Sequence, residues 1–294
     1  MKQALIKLHL SVFLAGFTGI LGALIKLNEG LLVWYRIALT VVVLFAWLVW
    51  KQKLQRISSG NVWRLFGTGA LIALHWVCFY GSIKVANVSI GLVCFASVGL
   101  FTALLEPLMT DKTFSWSEVG LGLVSLLGIY LIFQFDDRYR TGIYLGLACS
   151  VLAAVFSVLN KKYVGVAPPQ TLMLYELTGG LAVLTLLMPL YLYYFPTNYI
   201  FPSVSDWGWL LILAIACTVL AMDLMLQALK KVSAFTQNLS LNLEPVYGIL
   251  MAFLVFHENR RLNSSFYIGF GLIALSVVLQ MGRIVRRRAT SHGL

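Results

Sequence analysis

The sequence predicts an all-α membrane protein in which ten transmembrane helices form two inverted five-helix repeats, and three observations predict it. The 294 residues are 60% hydrophobic and only 11% charged, with a mean hydropathy of +0.87, whereas soluble domains carry about a quarter charged residues. Apolar runs of about 20 residues, the length that crosses a ~30 Å hydrocarbon core, recur along the chain and leave no stretch for a soluble domain. Short segments also recur between the two halves at a slowly rising offset.

The first span, 5–27, follows the basic start "MKQALIKLHL", which resembles a signal peptide. Its apolar run continues past residue 20 and a second span follows within a few residues, so it reads as a retained helix. Spans 31–50, 63–83, 86–108 and 116–134 complete a first repeat over 1–134. A connecting loop, 135–141, leads into a second repeat over 142–282, with spans 142–160, 170–194, 207–229, 233–256 and 264–282. A basic tail, 283–294, closes the chain.

The repeat is carried by three pairs of segments. "WYRIALT" at 34–40 matches "LYELTGG" at 174–180, "SIKVANV" at 82–88 matches "ALKKVSA" at 228–234, and "GLGLVSL" at 120–126 matches "GFGLIAL" at 269–275. The offsets, 140, 146 and 149, rise as a duplicated unit with a few loop insertions should. Five spans is an odd number, so the second copy enters the bilayer from the opposite face. Secondary transporters use this inverted arrangement, with the substrate site near the midplane between the halves.

Charge sets the orientation. Leaving out Arg36 inside a span, fifteen Lys and Arg residues lie on the side of the termini and six (Lys26, Lys84, Arg138, Arg140, Arg260 and Arg261) on the other. The positive-inside bias then places both termini in the cytoplasm of a multi-pass protein of the cell (inner) membrane. The net charge of +11 and the tail "RIVRRR" are read as orientation and lipid-headgroup anchoring rather than nucleic-acid binding. Cys78, Cys94, Cys149 and Cys217 all fall within spans without a CxxC pair, so neither a disulfide framework nor a zinc site is expected. No Walker A, HExxH or GxSxG motif stands at a strand-to-helix junction, so no cofactor, metal, ATPase or standard hydrolase is expected.

Chemistry is sought among the few polar residues inside spans. "LEPVYGIL" at 243–250 and "LEPLMTDK" at 105–112 both carry Glu-Pro, yet they are 138 residues apart, outside the repeat series. Glu244 therefore corresponds to Val98 and Glu106 to Ala252. Glu244 lies about eleven residues into its span, ~16 Å deep, where a side chain cannot reach interfacial water. Pro245 leaves the Leu241 carbonyl without its usual partner and kinks the helix, which a membrane tolerates only beside protein or a wet cavity. At 100° per residue, Gln237, Ser240, Glu244 and Tyr247 share an arc of about 80°, and Thr236, Asn238 and Asn242 add to the polar load. This predicts a cavity-lining helix that meets substrate or proton. Desolvation disfavours the Glu244 anion at that depth, so the carboxyl is suited to take up and release a proton as the cavity changes face.

Other candidates follow. Glu106 ends the fourth span near the cytoplasmic interface and shares a face with Phe95, Gly99 and Thr102; it reads equally as an interfacial carboxylate or a functional one. Arg36 and its repeat match Glu176 are expected to act as gates or to form ion pairs. Asp223, about two turns from the cytoplasmic face, is too short to snorkel and is expected in a cavity or a pair. His75, near the middle of the third span, is by default a neutral, hydrogen-bonded packing residue and a second choice for substrate or proton binding.

The stretch "ALKKVSAFTQNLSLNLEPVYGILMAFLVFHE" at 228–258, followed by "GFGLIALSVV", resembles the EamA-type transporters of the drug/metabolite transporter superfamily, and the resemblance covers essentially the whole chain. Ala228–Ala234, Pro245, Glu258 and Gly269 match the family pattern in the second half. The first half departs from it, with Gly99 in place of the proline and Asp111 with Lys112 in place of the acidic loop residue. The resemblance implies a permease or exporter of small polar metabolites, amino acids foremost, working by alternating access with possible proton coupling. The alternatives are a nucleotide-sugar or drug transporter of the same superfamily or, from another class, an intramembrane lipid-modifying enzyme. The expected partners are a small-molecule substrate and the bilayer; the oligomeric state is left open and is compatible with a monomer.

Overall fold

The computed structural model describes residues 2–135, 137–233, 237, 240–241, 243–260 and 262–291, and these are helical wherever they are regular. The helices are α1 (Lys2–Leu24), α2 (Glu29–Trp50), α3 (Ser59–Val85), α4 (Val88–Phe95), α5 (Val98–Met109), α6 (Trp116–Phe135), α7 (Arg140–Tyr163), α8 (Pro169–Tyr194), α9 (Val204–Ala214), α10 (Ala221–Leu229), α11 (Glu244–Phe256) and α12 (Ser264–Ser291). Taking α4 with α5 and α9 with α10 as single spans, 7 are long and apolar enough to cross a membrane, and the shorter apolar helices Trp116–Leu131, Glu244–Phe256 and Ser264–Ser276 bring the number to ten. Side chains that stop the chain's turns start the helices: Asn28 accepts from the Leu31 N–H, Asn87 from Ile90 and Ser203 from Asp206, while Pro169 stands in the first turn of α8, where its missing N–H costs nothing.

Loop contacts sort the two ends of the bundle. On one, Lys84 Nζ donates to the Ile25 carbonyl, the Lys26 N–H to Asp206, and the Tyr191 hydroxyl to Glu29. On the other, Lys161 Nζ donates to the carbonyls of Leu229 and Val232, and the Tyr175 hydroxyl to that of Gln55. The first end collects odd-numbered connections and the second even-numbered ones, as ten alternating spans require; the second is called the terminal face below. Large apolar side chains, among them Val42, Leu186, Leu254 and Val278, are exposed on the outside of the bundle, the pattern of helices solvated by lipid.

The fourth span is broken, which the sequence reading did not anticipate. α4 stops at Phe95, the Ser97 N–H bonds three residues back to the Cys94 carbonyl, and the Ser97 hydroxyl competes for the same oxygen at 2.7 Å. α5 restarts at Val98. In the ninth span α11 starts at Glu244 with Pro245 in its first turn, so the proline lies where it breaks no helical bond. Val98 and Glu244 are the repeat-equivalent positions, so both halves restart their fourth helix at the same place. The N-terminus of α4 is closed from the other half: the Glu258 carboxylate accepts from the N–H groups of Val88 (3.1 Å) and Ser89 (3.0 Å) and from the Ser89 hydroxyl. A carboxylate is favoured there by the partial positive charge of the helix end.

Glycines allow α3 and α8 to meet backbone to backbone. A Cβ on Gly69 would lie 1.6 Å from the Glu176 carbonyl oxygen, and one on Gly180 would lie 2.6 Å from the Gly69 oxygen. α6 and α12 pair beside the bundle through Ser125 and Ser276, whose hydroxyls are 2.6 Å apart. The stretch 283–291, expected as a tail, continues α12.

Candidate functional site

A cavity of about 90 Å³ lies at the centre of the bundle between the two halves. Its polar edge is made by Arg36 of α2, His75 of α3, Asn160 of α7, and Gln237 and Glu244 of the ninth span. Trp76, Phe79, Phe95, Phe156, Met222 and Met225 form its apolar walls. A water needs roughly 10–15 Å³ of such space, so several waters or a small polar solute fit.

Arg36 is 2% exposed and sits seven residues from the start of its helix, ~10 Å in. Its guanidinium donates to the Thr218 hydroxyl (2.8 Å), the Tyr80 hydroxyl (2.7 Å) and the Cys217 carbonyl (3.3 Å), and stacks 3.8 Å above the Trp76 ring. The Cys217 carbonyl is presented by a π-helical turn, Ile215–Leu220, between α9 and α10, where the Thr218 hydroxyl bonds five residues back to Leu213. Three of five guanidinium N–H donors are thus used, none on a carboxylate. Among the described residues the ion pairs are Lys112 with Glu106 and with Glu118, so Arg36 and Glu244 share the cavity without pairing.

The other polar groups are left similarly open. Asn160 and Gln237 are 5% and 1% exposed, and Asn160 Oδ1 and Gln237 Oε1 have no hydrogen-bond partner. His75 Nδ1 lies 2.9 Å from the Cys149 carbonyl. A carbonyl can only accept, so Nδ1 carries the proton and Nε2 of the neutral ring is an acceptor. The ring is clamped by Phe79, Phe95 and Phe156. The default packing histidine is therefore also a cavity residue.

The remaining sequence candidates lie elsewhere. Tyr247 is 36% exposed and packs edge-on against Phe13 of α1, away from the cavity. The arc drawn through Gln237, Ser240, Glu244 and Tyr247 is too wide for one cavity edge: Tyr247 follows Glu244 within α11 but is turned about 60° from it, which carries it to α1. Ser240 is buried but does not line the cavity, and Asn238, with Thr236 and Asn242, lies outside the described residues. Asp223 accepts from Gln170 and Gln227, and Gln227 in turn accepts from Lys7, a chain that ties α8, α10 and α1 together near the terminal face. Glu176 is buried against α3 with its Oε2 unpartnered, outside the cavity. Glu106 is held at the interface by Lys112, 3.0 Å away, which also reaches Glu118 of α6. Asn160 and the aromatic wall were missed; Asn160 carried a signal, a lone amide in an apolar span just before Lys161 and Lys162.

A family model described as "EamA-like transporter family" matches the chain twice, over residues 2–134 and 140–281. The chain belongs to the EamA-like transporter family. It is thus a multi-pass membrane protein of a transporter family, and the two matches correspond to its two five-helix repeats. One solved structure, described only as "Crystal structure of protein", shares 17% identity with this EamA-like chain and superposes with a TM-score of 0.71 over 98% of this chain and 99% of its own, a likeness of fold. The comparison with curated proteins finds no match. In this EamA-like chain the cavity lies where inverted-repeat transporters carry substrate, at the interface of the repeats.

Proposed function

We propose that this protein is a secondary transporter that moves small zwitterionic metabolites, amino acids foremost, by alternating access through the central cavity. The observation that carries this reading is the Arg36 guanidinium, buried without a carboxylate partner in the same cavity as Glu244. A buried charge without a counter-ion is costly, and a substrate carboxylate would remove that cost. The substrate ammonium then has Glu244 and the unpartnered oxygens of Asn160 and Gln237 as acceptors. The small volume and single cation favour this over a nucleotide sugar, whose two phosphates call for a wider and more basic site.

In the same reading Glu244 couples transport to protons: it binds a proton when sealed from water and releases it when its cavity opens. The protein lies in the inner membrane with both termini cytoplasmic, in keeping with the bias of basic residues; a reporter active only outside the cytoplasm, fused after Leu294, should be silent. The decisive experiment is counterflow in liposomes. Protein loaded with one unlabelled amino acid should accumulate its labelled form from a panel, and Arg36→Gln should lower that accumulation at least ~100-fold. If wild-type protein exchanges no zwitterion, or Arg36→Gln exchanges it normally, the reading fails.

A further inference from the structure

A second, polar cavity of about 660 Å³ opens at the face opposite the termini, lined by Arg138 and Arg260 and by the buried Glu258 that caps α4. It shares α1 and α3 with the central cavity. On α1 the central cavity ends at Thr18 and this vestibule begins at Ala23; on α3 they meet at Phe79 and Ile83. Only ~6–8 Å of helix separates them. That layer is filled by Gly19, Gly22, Tyr80, Ile83, Val88 and Leu92, with no side chain among them more than 4% exposed. A Cβ on Gly22 would lie 2.1 Å from the Tyr80 ring, so the ring is seated directly on the α1 backbone. The same Tyr80 hydroxyl takes the 2.7 Å hydrogen bond from Arg36.

We propose that Tyr80 is the gate between the central cavity and the vestibule, and that Arg36 holds it shut. Resting on the reading of Arg36 as the substrate anion site, the arrangement links occupancy to opening: a carboxylate taking the two open N–H groups of the guanidinium, one of them on the same Nη1 that donates to Tyr80, would draw that nitrogen away from the phenol. With the tie released, the ring is held by packing alone, against the backbone of Gly22, the Phe79 ring and the apolar layer around it, and its displacement would connect the central cavity with the vestibule. Tyr80 is thus a positioning residue that joins two cavities otherwise closed to each other.

The test is thiol accessibility in the full-length protein, with Cys78, Cys94 and Cys149 replaced by Ala and Cys217, which lines the central cavity, as the reporter. A membrane-impermeant methanethiosulfonate is applied from the vestibule face, which is identified by a control Arg260→Cys. Tyr80→Ala should raise Cys217 labelling from that face at least ~10-fold. Tyr80→Phe, which keeps the ring and loses only the Arg36 tie, should raise it ~3-fold or more and provides the test if the alanine variant does not fold. Unchanged labelling in a monodisperse Tyr80→Phe protein would overturn the gate. Because labelling needs no substrate, a protein that labels as expected but exchanges no zwitterion would refute the transport reading and leave the gate standing.

Discussion

The two fourth helices of the repeats restart at equivalent positions and are filled with opposite chemistry. In the first half the restart residue is Val98, fully buried in the apolar core. In the second it is Glu244, facing the cavity. The loops that follow them invert in the same way: one carries Lys112, which clamps Glu106 and Glu118 within its own half, and the other carries Glu258, which reaches across to α4. Duplication therefore supplied a shared backbone plan, and the polar groups were invested in one copy at each level. The lesson is that inverted architecture sets where a helix can break and leaves open which break will carry chemistry.

Substitutions that make the halves alike should test this contrast. Glu244→Val copies the first-half residue into the second and should abolish exchange, by ~100-fold or more, in the counterflow assay; Glu244→Gln, which cannot titrate, should keep exchange and lose transport driven by a pH gradient. Full gradient-driven transport by the glutamine variant would assign Glu244 to packing alone. Lys112→Met leaves two largely buried carboxylates facing each other and should lower the apparent unfolding free energy in detergent by about 2–3 kcal/mol. Glu258→Gln keeps one acceptor oxygen but loses the charge at the helix end, at a cost of about 1–2 kcal/mol by the same measurement. Val98→Ala, at the apolar restart, should cost about 1 kcal/mol and leave the substrate affinity in counterflow unchanged. A loss in counterflow as large as that of Glu244→Val would erase the distinction between the halves.

Much of this was legible in the sequence because it depends on composition and period. The apolar runs, the rising offsets and the depth of Glu244 need no tertiary information. The break at Ala96–Ser97 was hidden because it depends on a serine hydroxyl competing for one carbonyl within an otherwise apolar span. The place of Tyr247 was misjudged for another reason, since a shared arc of about 80° is wide enough for its edge to meet a neighbouring helix, here α1, instead of the cavity. Arg36 could be located by depth, but its partners could not: Tyr80, Cys217 and Thr218 come from spans far apart in sequence. Asp223 accepts from Gln170 and Gln227, and Glu106 is bridged by Lys112, local partners near the terminal face that the sequence alone does not specify.

The Glu258 cap also bears on how the chain is made. α4 enters the bilayer with its first N–H groups open, and the carboxylate that closes them is synthesised 170 residues after Val88. Until α11 has been inserted, the nascent first half must leave those donors to water or lipid headgroups. A ribosome-bound intermediate that ends before residue 258 should therefore keep the start of α4 accessible to solvent exchange, and separately expressed halves should protect it only when they assemble.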